Sequence, residues 1–295
     1  MTTNSLRIER LNKASTRKFI EPDAEVTGAF TKDQLVPDEL LSVAGLDLDL
    51  SPEQRARLAR EELASIFHAG VMFEQTLIAG FAFQMALGAD ITDPRFTYAL
   101  HEIGEETRHS RLFIRVYRQL EPEQRNPFIG GRVPTLLSRW GLPLLMKRAA
   151  TLDAFVLAGE EIPDLLQKLL AEHPDTDPYI GAVNRYHRAE EARHIAFART
   201  TLGEHYAAAT WSDRLAVRWI VPLAIVAMFD LTMIQPYVYE TVGLPVWRTW
   251  RQVRRLPRRV ELRRQCARTV LKALTDAGVF RAESTLPYPW RRITR

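Results

Sequence analysis

The sequence predicts an all-α protein, a four-helix bundle with additional helices at its C-terminal end. Three observations carry this. From Ser51 onward, apolar residues recur at three- and four-residue spacing, the period of helices buried on one face. No alternating strand pattern runs longer than a few residues. Two near-copies, Gly104-Glu-Glu-Thr-Arg-His109 and Ala189-Glu-Glu-Ala-Arg-His194, stand 85 residues apart on such helical stretches.

Residues 1–50 read as an extended, loop-rich arm with Pro22, Pro37 and turn-forming Asp residues. Ser51-Pro52-Glu53 then opens the first bundle helix, with Ser as N-cap and Pro at the first helical position. Its apolar stripe runs through Phe67, Val71, Leu77, Ile78, Phe81 and Met85 and closes near Gly88. Asp93-Pro94 opens a second helix to about Leu120, and the Pro- and Gly-rich residues 121–143 read as a connection. A third helix is expected over 143–172, interrupted or bent at Pro163, and a fourth over 179–205. Residues 211–235 are expected to pack over the bundle, and one or two helices to follow over 248–277. The chain thus divides into an arm (1–50), a di-metal bundle (51–240) and a basic helical extension (241–295).

Composition fits a folded globular chain, with 46% apolar and 26% charged residues in 295. A single cysteine, Cys266, excludes an internal disulfide and reads as a small apolar side chain. Together with a polar N-terminus lacking a secretory-type apolar run, it predicts a cytoplasmic protein. Residues 219–234 are apolar but contain Pro222 and Asp230, and fall short of the roughly 20 apolar residues that span a bilayer. They are expected to form a buried core helix. Net charge is +4, yet residues 248–295 hold fourteen Lys/Arg against three Asp/Glu, a local +11. Arg251, Arg254, Arg255, Arg258 and Arg259 are expected to form a solvated or inter-subunit surface. No zinc-finger, RNA-sheet or glycine-loop motif accompanies them, so no nucleic-acid partner is expected.

The chemistry lies in the near-copies. Each places a Glu three residues before a His, Glu106/His109 and Glu191/His194, so that both side chains share a helix face and can grip one metal ion. Two such pairs plus one Glu from each of two other helices is the ligand set of ferritin-like di-metal bundles. On the first helix the candidate is Glu74, set inside the apolar stripe where an uncompensated carboxylate would cost several kcal/mol. Glu61 and Glu62, over three turns earlier, are expected on the surface. The third helix offers Glu160 or Glu161; the separations Glu74–Glu106 (32) and Glu160–Glu191 (31) favour Glu160 slightly. His187, four residues before Glu191, adds a third imidazole on the same face. Glu102 and Glu105 stand close enough to compete with Glu106, which alone has His at i+3. Arg108 and Arg193 are expected to pair with Glu105 and Glu190, and Asp230 could accept the outer N–H of a metal-bound His. Carboxylates and imidazoles without thiolate suit iron, with manganese possible, better than structural zinc.

The order Glu74, Glu106/His109, Glu160, His187/Glu191/His194 resembles the p-aminobenzoate N-oxygenase family over about residues 60–235. The extra His187 is the most specific element of that likeness. The resemblance implies a helical, often dimeric enzyme with two iron ions per chain that uses O2 to oxidise an arylamine towards the nitro compound. A small-molecule substrate and an external electron donor or reductase are then expected, because no flavin or nicotinamide motif is present. The competing readings are a diiron hydroxylase or desaturase of an acyl substrate, and a ferroxidase or iron-storage protein.

Overall fold

The computed structural model describes residues 3–88 and 90–280. In chain order the helices are α1 (Thr3–Arg17), α2 (Pro22–Glu25), α3 (Pro52–Ala86), α4 (Pro94–Leu120), α5 (Pro127–Gly130) and α6 (Arg132–Met146). Then follow α7 (Ala149–Glu172), α8 (Pro178–Ala208), α9 (Trp211–Leu215), α10 (Val221–Ala227), α11 (Val246–Arg255) and α12 (Pro257–Asp276). No β-strand occurs among the described residues. The fold is the expected all-α, ferritin-like bundle: α3 pairs with α4, α7 pairs with α8, and the two hairpins pack together.

Three of the four bundle helices start as the sequence dictates. Ser51 closes a capping box with Gln54, Asp93 caps α4 through Arg95 N, and Asp177 caps α8 through Tyr179 N, each followed by Pro. The start of α7 has no side-chain cap of its own; Asp213 of α9 accepts from Thr151 N at 3.1 Å instead. A helix capped from a distant segment leaves no local start signal, and α7 indeed begins at Ala149 rather than 143. Residues 132–146 form α6, although most of them, up to 143, were expected within a connection. Pro163 does not interrupt α7.

The arm is more ordered than expected. Its first 15 described residues form α1, a polar helix held by tertiary contacts: Ile8 is buried, and Asn12 Nδ2 donates to the Pro94 carbonyl at 3.0 Å. Leu35, Val36, Leu41 and Val43 sit in the core beside α3 and α8. Glu61 and Glu62 are buried, not on the surface. Glu61 pairs with Arg57 and accepts from the backbone N–H of Glu123 at 2.7 Å, while Glu62 accepts from the hydroxyl and N–H of Ser42.

Residues 211–242 are largely helical, with π-helical turns at Ala216–Ile220 and Met228–Thr232. The stretch is two-faced rather than wholly buried: Val217, Val221 and Ile225 face the core, whereas Trp219, Ile220 and Leu223 are exposed. By length and composition alone, Pro52–Ala86 and Trp211–Val242 could each cross a membrane. Several cations of the basic extension are engaged within the chain. Arg254 pairs with Asp230 at 2.6 Å, Arg259 donates to the Phe229 carbonyl at 2.9 Å, and Arg258 to those of Glu39 and Leu41 at 2.6 and 3.1 Å. Residues 281–295 of that extension lie outside the described residues. Cys266 is buried in the core, which pushes its thiol up to about 12.

Helices α3 and α7 meet at Gly159, where a Cβ would fall 1.5 Å from the Phe73 ring. Gly159→Ala therefore displaces the Phe73 ring from the α3–α7 contact, beside Glu74 and Glu160. A loss of about 1–3 kcal/mol in urea denaturation is expected, with reduced metal retention.

Glu62 generates a pH prediction. Burial lifts its carboxyl from 4.5 to about 7, partly offset by Ser42, Arg259 and Arg258. Between those values the unfolded chain has released a proton that the fold keeps, so this group's contribution to stability falls as pH rises. Glu62→Gln has no such proton. Relative to the parent it should gain on the order of 2–3 kcal/mol between pH 5 and pH 8, read by urea denaturation of the metal-free proteins.

Candidate metal centre

The four bundle helices bring all seven predicted residues to one interior point. Glu74 comes from α3, Glu106 and His109 from α4, Glu160 from α7, and His187, Glu191 and His194 from α8; none is more than 3% exposed. His187 Nε2 stands 3.1 Å from Glu74 Oε1 and 3.2 Å from Glu191 Oε1. His109 Nδ1 lies 3.2 Å from Glu106 and 3.0 Å from Glu191, and His194 Nδ1 lies 3.2 Å and 2.9 Å from the same two acids. Glu106 and Glu191 thus each span both ExxH imidazoles. Potential ligand atoms fall into overlapping groups, mutually within 4.8 Å: Glu74/His109/His187/Glu191, Glu74/Glu106/Glu160 and Glu102/Glu106/His194. Glu160, not Glu161, joins the cluster; Glu161 turns away to Arg199, 2.8 Å from its Nε.

Each imidazole is held from behind. His109 Nε2 meets Glu190 at 3.0 Å, His194 Nε2 meets Glu105 at 2.8 Å, and His187 Nδ1 meets Gln167 Oε1 at 3.0 Å. Acceptors at these atoms fix a ring N–H outward and aim the other nitrogen at the cluster, where it can exchange its proton for a metal. The outer carboxylates are balanced in turn: Arg193 lies 3.0 Å from Glu105 and 3.3 Å from Glu190, Arg108 lies 3.4 Å from Glu190, and Tyr186 donates to Glu190 at 2.8 Å. The expected Arg108 and Arg193 pairing is therefore realised partly between helices, with Arg108 bound to Glu190 of α8 and Arg193 reaching both Glu105 of α4 and Glu190 of its own helix. Asp230 does not support a histidine; Arg254 and Arg263 claim it. Glu105, Glu190 and Gln167 take that role. The first two immediately precede the ExxH glutamates, and the doubled Glu-Glu of each near-copy was the available signal.

The interior is electrostatically unbalanced without added positive charge. Burial, and then the neighbouring acids Glu74 and Glu191, push the Glu106 carboxyl well above its ordinary value; burial followed by Glu191 and Glu74 does the same for Glu160. Burial opposes ionisation of Glu191, yet His194 and His187 hold it well below the carboxylate range. His109 and His194 are disfavoured as cations by burial but held well above their ordinary values by the surrounding carboxylates. Glu74 Oε2, Glu160 Oε1 and both oxygens of Glu102 are buried without a hydrogen-bond partner. Orphaned carboxyl oxygens converging with imidazole nitrogens, all able to give up protons to a metal, fit hard or borderline dications, and the thiolate-free donor set suits iron or manganese.

A cavity of about 250 Å³ opens on this cluster. Glu74, Glu160 and His187 contribute to its wall, together with Phe67, Phe73, Phe113, Phe155, Met228 and Ile225.

A family model described as p-aminobenzoate N-oxygenase AurF matches residues 2–278. Two uncharacterized proteins, Rv0885 of Mycobacterium tuberculosis and Mb0909 of Mycobacterium bovis, are each 31% identical over 206 residues, covering 66% of this chain and 57% of theirs. The match thus spans little more than half the length of those relatives. With nearly the whole chain matched and the buried Glu/His cluster in place, the chain belongs to the p-aminobenzoate N-oxygenase family of non-haem diiron oxygenases.

Proposed function

We propose that the chain uses O2 to oxidise a small organic amine, with N-oxygenation of an uncharged arylamine as its reaction. The observation that carries this reading is the apolar cavity ending on Glu74, Glu160 and His187. Glu74, Glu106, His109, Glu160, His187, Glu191 and His194 would hold two iron ions, whose four positive charges the four carboxylates match. Bound there, the metal pair supplies the electron storage and oxygen-binding positions that side chains lack.

The rest of the work falls to the protein. Glu190, Glu105 and Gln167 orient the three imidazoles. The aromatic and Met wall keeps water from the reacting end of the cavity. At about 250 Å³ the cavity exceeds the roughly 150 Å³ void known to accept benzene, so it has room for a substituted ring. Its other polar lining groups already have partners: Thr76 donates to the Met72 carbonyl at 2.9 Å, Asn184 to that of Ile180 at 2.8 Å, and Gln167 serves His187. No Lys or Arg lines it among the described residues. A carboxylate-bearing substrate would then be buried without a countercharge, at several kcal/mol. The same cavity favours an organic substrate over iron storage. A separate reductase or small reductant would deliver electrons.

Protein produced with iron should carry close to two ions per chain by elemental analysis; a value of none or one sinks the dinuclear reading. His187→Ala should lower iron content and O2 consumption while leaving the melting temperature within a few degrees. With reductant and O2, p-toluidine should be consumed at least ten times more efficiently than p-aminobenzoate, measured as kcat/KM by product chromatography. Turnover of acyl substrates in place of any arylamine would move the assignment to a hydroxylase or desaturase.

A further inference from the structure

Glu102 is the buried acid that the seven-residue set leaves unused. It lies on α4, one turn before Glu106, and is 0% exposed. Both of its carboxylate oxygens lack a hydrogen-bond partner. Its neighbours Glu105 and Glu190 show what a structural acid looks like at this depth, since each has an arginine and an imidazole bound to it. Glu102 has neither. Instead, one of its oxygens lies within 4.8 Å of ligand atoms of both Glu106 and His194.

The internal repeat gives the position meaning. Glu102 precedes Glu106 by four residues, as His187 precedes Glu191. His187 turns onto Glu191 and Glu74; Glu102 turns onto Glu106 and His194. Each ExxH helix therefore adds one more donor at its i−4 position, an imidazole on α8 and a carboxylate on α4. We propose that Glu102 is a further metal ligand, serving the His194 side of the centre as His187 serves the other. The two metal positions are then chemically unlike. The His109/His187 side is richer in nitrogen; the His194 side, with Glu102, is richer in oxygen and suits the harder ion. This rests on the dinuclear reading above, and its test separates the two.

The probe is Mn(II) alone, titrated into the metal-free full chain and followed by electron paramagnetic resonance and calorimetry. The variants are the isosteric Glu102→Gln and the apolar Glu102→Met. The parent should bind two ions. Each variant should keep one ion at parental affinity and bind the other at least tenfold more weakly, the scale of a lost metal contact. The melting temperature of the metal-free variants should be equal to the parent's or higher, because an unpartnered buried carboxyl has been removed. Two ions bound by the variants with affinities within twofold of the parent would overturn the assignment. So would equal weakening of both ions, or a fall in metal-free melting temperature in both variants, each marking a structural role. A parent that binds fewer than two ions overturns the dinuclear reading itself.

Discussion

The structure depends on one electrostatic constraint: five carboxyl groups, Glu74, Glu102, Glu106, Glu160 and Glu191, share the interior of a single bundle. Two like charges about 4 Å apart repel by about 4 kcal/mol at an effective dielectric constant of 20. Several such pairs outweigh the whole net stability of a typical domain. The helices can pack only if positive charge enters with them. His109 and His194, drawn up by the surrounding carboxylates, supply part of it as proton carriers, while burial and the neighbouring acids draw up Glu106 and Glu160. Two dications satisfy the same demand without protons, and they also employ the orphaned oxygens.

The surrounding residues isolate this core from the rest of the molecule. Arg108 and Arg193 neutralise Glu190 and Glu105 across the α4–α8 contact, so that the outer acids add little to the burden within. Their arrangement is crossed: His109 of α4 leans on Glu190 of α8, and His194 of α8 on Glu105 of α4. One local sequence, Glu-Glu-x-x-His with Arg before the His, thereby serves twice, once from each hairpin. Phe19 of the arm covers Arg108, its ring 4.6 Å from the guanidinium, and closes the layer from outside.

Legibility followed the range of the interactions involved. Glu74 was readable because its own helix places it amid apolar neighbours, and His187 because its spacing from Glu191 is local. The helix starts at Ser51 and Asp93 were equally local. What was missed has partners far along the chain. Glu61 and Glu62 look like surface acids until residues 123 and 42 arrive to hydrogen-bond them. The helix α1 has few apolar residues and forms through its contacts with α4 and α8. Asp230 appeared to be a lone acid in an apolar run because its partner Arg254 follows 24 residues later, across a turn. The choice between Glu160 and Glu161 needed Arg199, on another helix, to draw one of them away.

Departures from regular helix gather around the cavity, and this links the fold to the proposed chemistry. Pro163 removes the N–H that would bond the Gly159 carbonyl, and both residues line the cavity wall. The opposite wall uses Val221, Ala224, Ile225 and Met228, from a stretch with π-helical turns on either side of α10. Such turns lower local regularity and recur at functional sites. A chain selected for stability alone would replace these features with regular helix and fill the void. Their concentration beside the buried acids has a common physical account: regular backbone and packing are given up where a substrate must lie against the metal-binding face.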